Sequence, residues 1–581
     1  MTAKPTETDS LSMDPIQFEV MRCAFDEAAD EMAAALRKTA FSTNIKTRAD
    51  FSCALFDRQL QLIAQSFSQP IHLASMARLV PMAVQRYGAE RIAPGDVLVT
   101  NDAHSGSMHL NDICLIAPYF DGEDLQGYTS AVAHHVDIGG MAPGGLSISR
   151  DIYQEGVIIP AVKLFDGGEL LPDILALILA NIRSPHQTGG DIRAQIAAVK
   201  LGQKRMSEII RRFGGATVQQ FTEEMIEYTN RWARREIAKL PQGDHTATCE
   251  LDDDGICDEP IRLALKATVR DGQVVFDLKG SDPQRPGPMN ANLTYAYSAV
   301  TYVVKCLIDP DIPNNDGFYR LITVEAPEGT VVNAMRPAGV VGGNDIAMRL
   351  CDLGFRAFST ALPERTVACS KSVICNMGCG GTDSRTGEFY TFMETICGGY
   401  GARPDRDGMD AVQSHIQNTE NSAIEEMENQ YPLQVVRYEL WNDSEGAGRF
   451  RGGLGVRRDW KYCDHAATAT IFSDHAKHGP WGLFGGHSGR ASRYLLNPDT
   501  DAIQQPSKVT LALQPNNVIS YCTPGGGGYG PPTERDPALV LDDVVKEKVS
   551  WQRARDVYGV VIDRQRQVVD VAGTRELRKR M

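Results

Sequence analysis

Apolar residues first recur with helical spacing at Phe18, Met21, Phe25, Ala28, Met32 and Leu36, steps of three and four that build one stripe. Asp14-Pro15 stands where an N-cap and a first helical residue belong, so a helix is predicted to open there. The runs then shorten. Phe51 to Asp57 and Gln59 to Ala64 read as two strands about a turn at Asp57-Arg58, and His72 to Tyr87 reads as a helix kinked at Pro81. Val97 to Thr100, Ile113 to Phe120 and Tyr128 to Ala133 read as strands, with Asp112 at the start of the second. Helical spacing returns over Pro172 to Ile182, Asp191 to Phe213 and Val218 to Leu240, and stops at Pro241-Gln242-Gly243. Beyond it, Arg262 to Val269 and Gln273 to Leu278 pair about Arg270-Asp271-Gly272. Two more helices are predicted, Asn292 to Leu307 and Ile346 to Leu362, the second capped by Asn344 or Asp345.

The resulting fold class is mixed α/β of the α+β kind: a large multi-lobe chain with mixed sheets, flanking helices and a glycine-rich, strand-bearing C-terminal half. The expected divisions are a disordered tail (1–13), a lobe carrying the candidate site (14–240), an α/β lobe rich in short strands (241–535) and a C-terminal segment (536–581). No apolar run approaches the roughly eighteen residues of a membrane span, and the N-terminus is polar. A net charge of −15 argues against binding a phosphate backbone. Thirteen scattered cysteines fit a reducing compartment better than a disulfide framework. The expectation is a soluble cytoplasmic protein that binds neither nucleic acid nor membrane.

Candidate chemistry concentrates in Asn101 to Asp137, which holds four of the twelve histidines. His109 and Asp112 stand three apart at the mouth of one strand; His134, His135 and Asp137 close the next. Two imidazoles with one or two carboxylates suit a divalent metal that keeps open positions. On a strand, His135 and Asp137 share a face and His134 takes the other, so periodicity leaves the choice between them open. Asp50, just before the strand Phe51 to Asp57, reads locally as a turn residue or cap. The loop from Gly139 through Arg150, Asp151 and Glu155 is a substrate-facing loop or a surface connection.

Other motifs are read as structural. Cys375 and Cys379 lack zinc-site spacing and a second pair, so they are expected as buried thiols. Asp474, His475 and His478 are expected to form a hydrogen-bonded corner. Gly525 to Gly528 has neither the ending of a phosphate-binding loop nor the context of a dinucleotide fold, and is read as a structural turn.

TRADFSCALFD, VTNDAHSGSMHLNDI, AHHVDIGGMAPGG, NIRSP, GGDIRAQ, ETICGGYGA, EEMENQYPL, GAGRFRGGLG and TPGGGGYG, in this order, resemble the hydantoinase B family from Asp14 to Gly530. That family is similar to the C-terminal half of 5-oxoprolinase, to the α subunit of acetone carboxylase, and to corresponding chains of acetophenone carboxylase and caprolactamase. The resemblance implies a metal-containing subunit of an ATP-dependent cyclic amide hydrolase, acting on hydantoin, 5-oxoproline or lactam rings. A hydantoinase A-type partner would bind ATP and phosphorylate the substrate, in a hetero-oligomer with two or more copies of each subunit. The metal, manganese, zinc or iron, would be held by Asp50, His109, Asp112 and His134 and would activate water; His135 or Asp137 would move the proton. The alternative is the metal subunit of a ketone carboxylase, and a third reading is a non-catalytic scaffold for the ATP-using partner.

Overall fold

In the computed structural model, which describes residues 12–66 and 69–581, Asp14 caps α1 (Pro15–Thr39) by accepting the Gln17 N–H at 3.0 Å. All six residues of the predicted stripe are buried. Residues 1–11 of the expected tail lie outside the described residues; Ser12 and Met13 bond to Glu224.

Next to α1 lies a seven-stranded antiparallel sheet. Its strands are β1 (Phe51–Asp57), β2 (Leu62–Gln65), β3 (Val97–Thr100), β4 (Asp112–Asp121), β5 (Asp124–His134), β6 (Val162–Asp166) and β7 (Glu169–Leu170), in the order β2-β1-β5-β4-β3-β6-β7. The helices of this half are α2 (Thr43–Lys46), α3 (Pro70–Tyr87), α4 (Pro172–Ala180), α5 (Pro185–Phe213) and α6 (Gly215–Ala238). Along β1 the side chains alternate: Cys53 and Leu55 join the core shared with α1 and α5, while Ala54 and Phe56 join the core shared with α3 and α7 (Leu293–Leu307). Because both faces are covered, β4 and β5 read as continuous apolar runs instead of alternating.

Of the boundaries that differ from the sequence expectation, two have visible causes. β2 starts at Leu62, not Gln59, because the Asp57 carboxylate accepts the Gln59 and Gln61 N–H groups at 2.9 and 2.7 Å and winds a longer turn. The helix expected over 346–362 runs Gly343–Phe358, and neither Asn344 nor Asp345 caps it; Asp345 accepts the Ile374 N–H at 2.7 Å instead.

A second sheet holds β8 (Gly243–Leu251), β9 (Ile261–Arg270), β10 (Gln273–Asp277) and β11 (Ile322–Glu325). The expected turn closes β9 to β10 in the register Arg270 to Gln273, with left-handed Asp271 and Gly272 at φ 53° and 70°. A third sheet joins β12 (Asn376–Thr382) and β13 (Phe389–Thr395) to Ala467–Phe472 and Lys508–Leu513. It shares a core with a five-stranded sheet, Met377, Cys379 and Phe392 meeting Trp460, Tyr494 and Tyr521. All thirteen cysteines are unpaired, with Cys375 and Cys379 buried as expected. Among the described residues no helix is long and apolar enough to cross a membrane.

The run Gly525 to Gly528 is buried among other backbone segments. A Cβ at Gly525 would strike the Ser444 carbonyl, at Gly526 the Tyr400 carbonyl, at Gly527 the Trp481 carbonyl and at Gly528 the Ala447 carbonyl. Gly526 also donates its N–H to the Gly453 carbonyl at 2.9 Å, so the main chain is pinned. Gly526→Ala is therefore expected to cost about 3 kcal/mol or more, since rigid carbonyls cannot give way. The urea midpoint measures this; an unchanged midpoint contradicts it.

Candidate metal centre

β1, β5 and β4 are neighbours in the sheet, and their ends carry the acidic and imidazole groups to one place. Asp112 opens β4 in register with His134, the last residue of β5. Asp50 precedes β1, and its carbonyl accepts the His134 N–H at 3.0 Å. His109 arrives from the loop between β3 and β4. That loop turns at Gly106, whose φ of 108° suits glycine, and is tied down by side-chain amides. Asn101 donates to the Leu110 carbonyl at 2.7 Å, and Asn292, the cap of α7, donates to the Ala103, Ser107 and Met108 carbonyls at 2.7 to 3.0 Å. Neither asparagine stood out in the sequence; Asn292 is far from His109 along the chain, and its only local signal was as a helix cap.

The Asp112 carboxylate is the hub. Its Oδ2 lies 3.0 Å from His109 Nδ1, and its Oδ1 lies 3.2 Å from His134 Nδ1. One ligand atom from each of His109, Asp112 and His134 lies within 4.8 Å of the others. All three residues are buried. His109 Nδ1 and Asp112 Oδ2, although close, lack hydrogen-bond geometry, and His134 Nε2 also has no partner. Buried polar atoms left without partners are costly, and here they converge. Burial alone would push the Asp112 carboxyl up, but the His109 and His134 rings outweigh it and hold the carboxyl well below the usual range. Burial likewise opposes protonation of His109, yet the adjacent Asp112 charge raises its pKa. The donor set, two nitrogens and a carboxylate with converging unpartnered atoms, fits a divalent ion.

The cluster faces a narrow, partly enclosed cavity of about 20 Å³. Asp50 and His72 line it beside the triad, without belonging to the group within 4.8 Å. The opposite wall comes from the second half of the chain: Asn344, Asn376, Thr395 and Gln417. Sequence reading missed this wall and His72, because no spacing rule links them to Asn101 to Asp137.

His135 and Asp137 do not line the cavity. The His135 ring bonds Gln195 of α5 at 2.9 Å, and burial lowers its pKa. Asp137 accepts the Gly139 and Gly144 N–H groups at 3.1 Å and pairs with Arg183, main chain at 2.8 Å and guanidinium at 3.2 Å. Strand alternation sends His134 and His135 to opposite sides, and the sheet's packing decides that His134 faces the cavity. Glu155 is also buried without lining the cavity, accepting the Ser149 hydroxyl and the Val340 and Val341 N–H groups; burial raises its carboxyl to about 7. Arg150 is exposed, so the loop from Gly139 buries one of its charges and presents another.

A mixed α/β chain with a buried two-histidine, one-aspartate cluster at the ends of adjacent strands is a candidate metalloprotein. The sequence model of the hydantoinase B/oxoprolinase family matches residues 14–532, and the chain belongs to that family. The B component of a putative D-/L-hydantoinase from Pseudomonas sp. (strain NS671) is 32% identical, over 98% of this chain and 99% of that one. The β component of the caprolactamase of Pseudomonas jessenii is 33% identical, over 97% and 98%. The crystal structure of the ATP-dependent caprolactamase from that organism matches with a TM-score of 0.91 at 30% identity, covering 98% of this chain and 100% of that one. Acetone carboxylase, in a nucleotide-free structure, matches with a TM-score of 0.90 at 20% identity over 98% and 83%, a likeness of fold alone.

Proposed function

We propose that this chain is the metal-carrying subunit of an ATP-dependent enzyme that opens a cyclic amide, working with a hydantoinase A-type partner that binds ATP and phosphorylates the ring carbonyl. The observation that carries the reading is the buried cluster of His109, Asp112 and His134, with converging unpartnered atoms, in a chain of this family. Full-length similarity to components of a hydantoinase and a caprolactamase supports the substrate class. The carboxylase alternative rests on a 20% identical likeness and is therefore secondary.

His109, Asp112 and His134 would hold the ion; Asp50, on the same wall but outside that group, would serve as a fourth ligand by moving in toward it. When bound, manganese, zinc or iron would supply a Lewis acid and activate water near neutral pH. Asp112 neutralises charge at the centre of the site, and Asn344, Asn376, Thr395 and Gln417 present polar groups across the cavity for orienting a substrate. For His135 and Asp137 we propose a positioning role: His135 ties the end of β5 to α5 through Gln195, and Asp137 ties the Gly139–Gly144 turn to Arg183. Acting on a proton directly would require either to leave those partners. Thirteen unpaired thiols suit a reducing cytoplasm. An unstrained cyclic amide is a poor electrophile, so ATP supplies a leaving group and a driving force.

The test is a screen of hydantoins, 5-oxoproline, lactams and ketones with the co-expressed partner. Expected are ring opening that depends on ATP and is abolished by a chelator, and ¹⁸O from water in the product. Bicarbonate dependence with incorporated label on a ketone would replace this reading with carboxylation; activity unaffected by chelation, with no metal in the purified protein, would leave a scaffold.

A further inference from the structure

His72 stands on α3, buried, and lines the cavity beside the cluster. Its Nδ1 lies 3.2 Å from the Ser52 hydroxyl oxygen on β1. The Ser52 hydroxyl also lies 2.8 Å from the Phe51 carbonyl; with its proton on that carbonyl, the oxygen accepts from the ring. In that arrangement His72 donates through Nδ1–H, and the neutral ring's lone pair falls on Nε2. That lone pair faces Asp112 Oδ2 at 3.8 Å, a separation too long for a hydrogen bond. Asp112 Oδ2 itself has no hydrogen-bond partner.

Two acceptors thus face each other across a gap that a hydrogen-bond donor or a cation can fill. The gap is not a ligand position for the cluster's ion. Two donor atoms on one ion, each about 2.1 Å from it, lie at most about 4.2 Å apart, so His72 Nε2 and Asp112 Oδ2 at 3.8 Å could share an ion as a pair, but one ion would not reach His72 together with all of His109, Asp112 and His134, whose ligand atoms gather within 4.8 Å without it. One water bridges such a space, since an O–H···N bond adds roughly 2.8 Å beyond the ion's own bond.

We infer that His72, locked as the Nδ1–H tautomer by Ser52, is the hydrogen-bond acceptor that orients the attacking water beside the His109–Asp112–His134 cluster. This role rests on the hydrolytic reading proposed above. It is assigned by the Ser52 contact and the facing acceptors, and it uses a residue that packing, not spacing, brings to the site: α3 lies against β1 and α7, and carries His72 under the ends of the strands.

The test uses the full chain with its ATP-binding partner. In His72→Ala, metal content and affinity for Mn²⁺ should stay within about twofold of wild type, whereas ring opening should fall in kcat by roughly 10²-fold or more, with KM little changed. Added imidazole should restore part of the rate. Independently of turnover, ¹⁵N spectra of labelled histidine should show Nδ1 protonated and Nε2 bare in wild type, and a mixture of tautomers in Ser52→Ala. Ser52→Ala keeps the ring and should lose roughly tenfold in kcat. Loss of Mn²⁺ in His72→Ala would make His72 a ligand and overturn the assignment, as would full turnover or a protonated Nε2 in wild type. His109→Ala, run in parallel, separates the two readings: if that variant keeps its metal, the metal centre itself is misplaced, whatever His72 does.

Discussion

His109→Ala is expected to purify without its divalent metal and to lose ring opening by roughly 10³-fold, because Lewis-acid assistance is worth several kcal/mol and each 1.36 kcal/mol is tenfold in rate. The fold should survive. The loop bearing His109 is held by Asn101 and Asn292 through main-chain carbonyls, so removing the imidazole removes none of those bonds. The complex with the A-type partner should still assemble and still hydrolyse some ATP, since phosphorylation would take place on the other chain. Elemental analysis, a coupled ATPase assay and chromatography of the ring-opened product read the three outcomes separately. Full turnover in this variant would end the metal mechanism.

The largest effect on stability is expected at Asp474, which does not line the cavity. Its carboxylate accepts from Arg349 at 2.8 Å, from Lys508 at 2.9 Å and from the Asp252 N–H at 3.0 Å. The Asp474, Arg349 and Lys508 side chains are almost wholly buried. Arg349 also reaches the Glu250 carbonyl and the Ser372 hydroxyl, so the group joins the helix Gly343–Phe358, β8 and the third sheet. Asp474→Ala leaves buried Arg349 without a carboxylate and Lys508 with only Asp253 at 3.4 Å, and should cost roughly 3–5 kcal/mol. Burial would raise the Asp474 carboxyl, but Lys508 and Arg349 hold it well below the ordinary range. A lowered folded-state pKa gives stability that is present above the unfolded value of about 3.9 and is lost as pH falls below it. The gap between wild type and Asp474→Ala, measured by urea unfolding, should therefore narrow below about pH 4. A gap that stays constant would show that packing, not charge, is responsible. His475, whose Nδ1 contacts the His478 carbonyl at 2.5 Å, completes the hydrogen-bonded corner expected from the sequence.

Local chemistry explains which elements could be read in advance. The stripe from Phe18 to Leu36, the Asp14 cap and the Arg270-Asp271-Gly272 turn are set by neighbours a few residues apart, so spacing alone reveals them. Boundaries shifted where a side chain made an unforeseen bond, as Asp57 did with Gln61 and Asp345 with Ile374. Gly525 to Gly528 needed more than local reading. Expected as a turn, it forms none, and its glycines are required by the carbonyls of four distant segments.

By itself the sequence determined that His109 and Asp112 would lie together and that His134 and His135 would take opposite sides, because turn and strand geometry act over two to four residues. Only the tertiary structure decided which histidine faces the cavity, since that depends on the face α5 covers with Gln195. It also placed Asp50 and His72 beside the triad and closed the site with Asn344, Asn376, Thr395 and Gln417. Those residues meet through pairing of β1 with β5 and through packing of separate sheets, and long-range burial leaves no periodic trace in the chain.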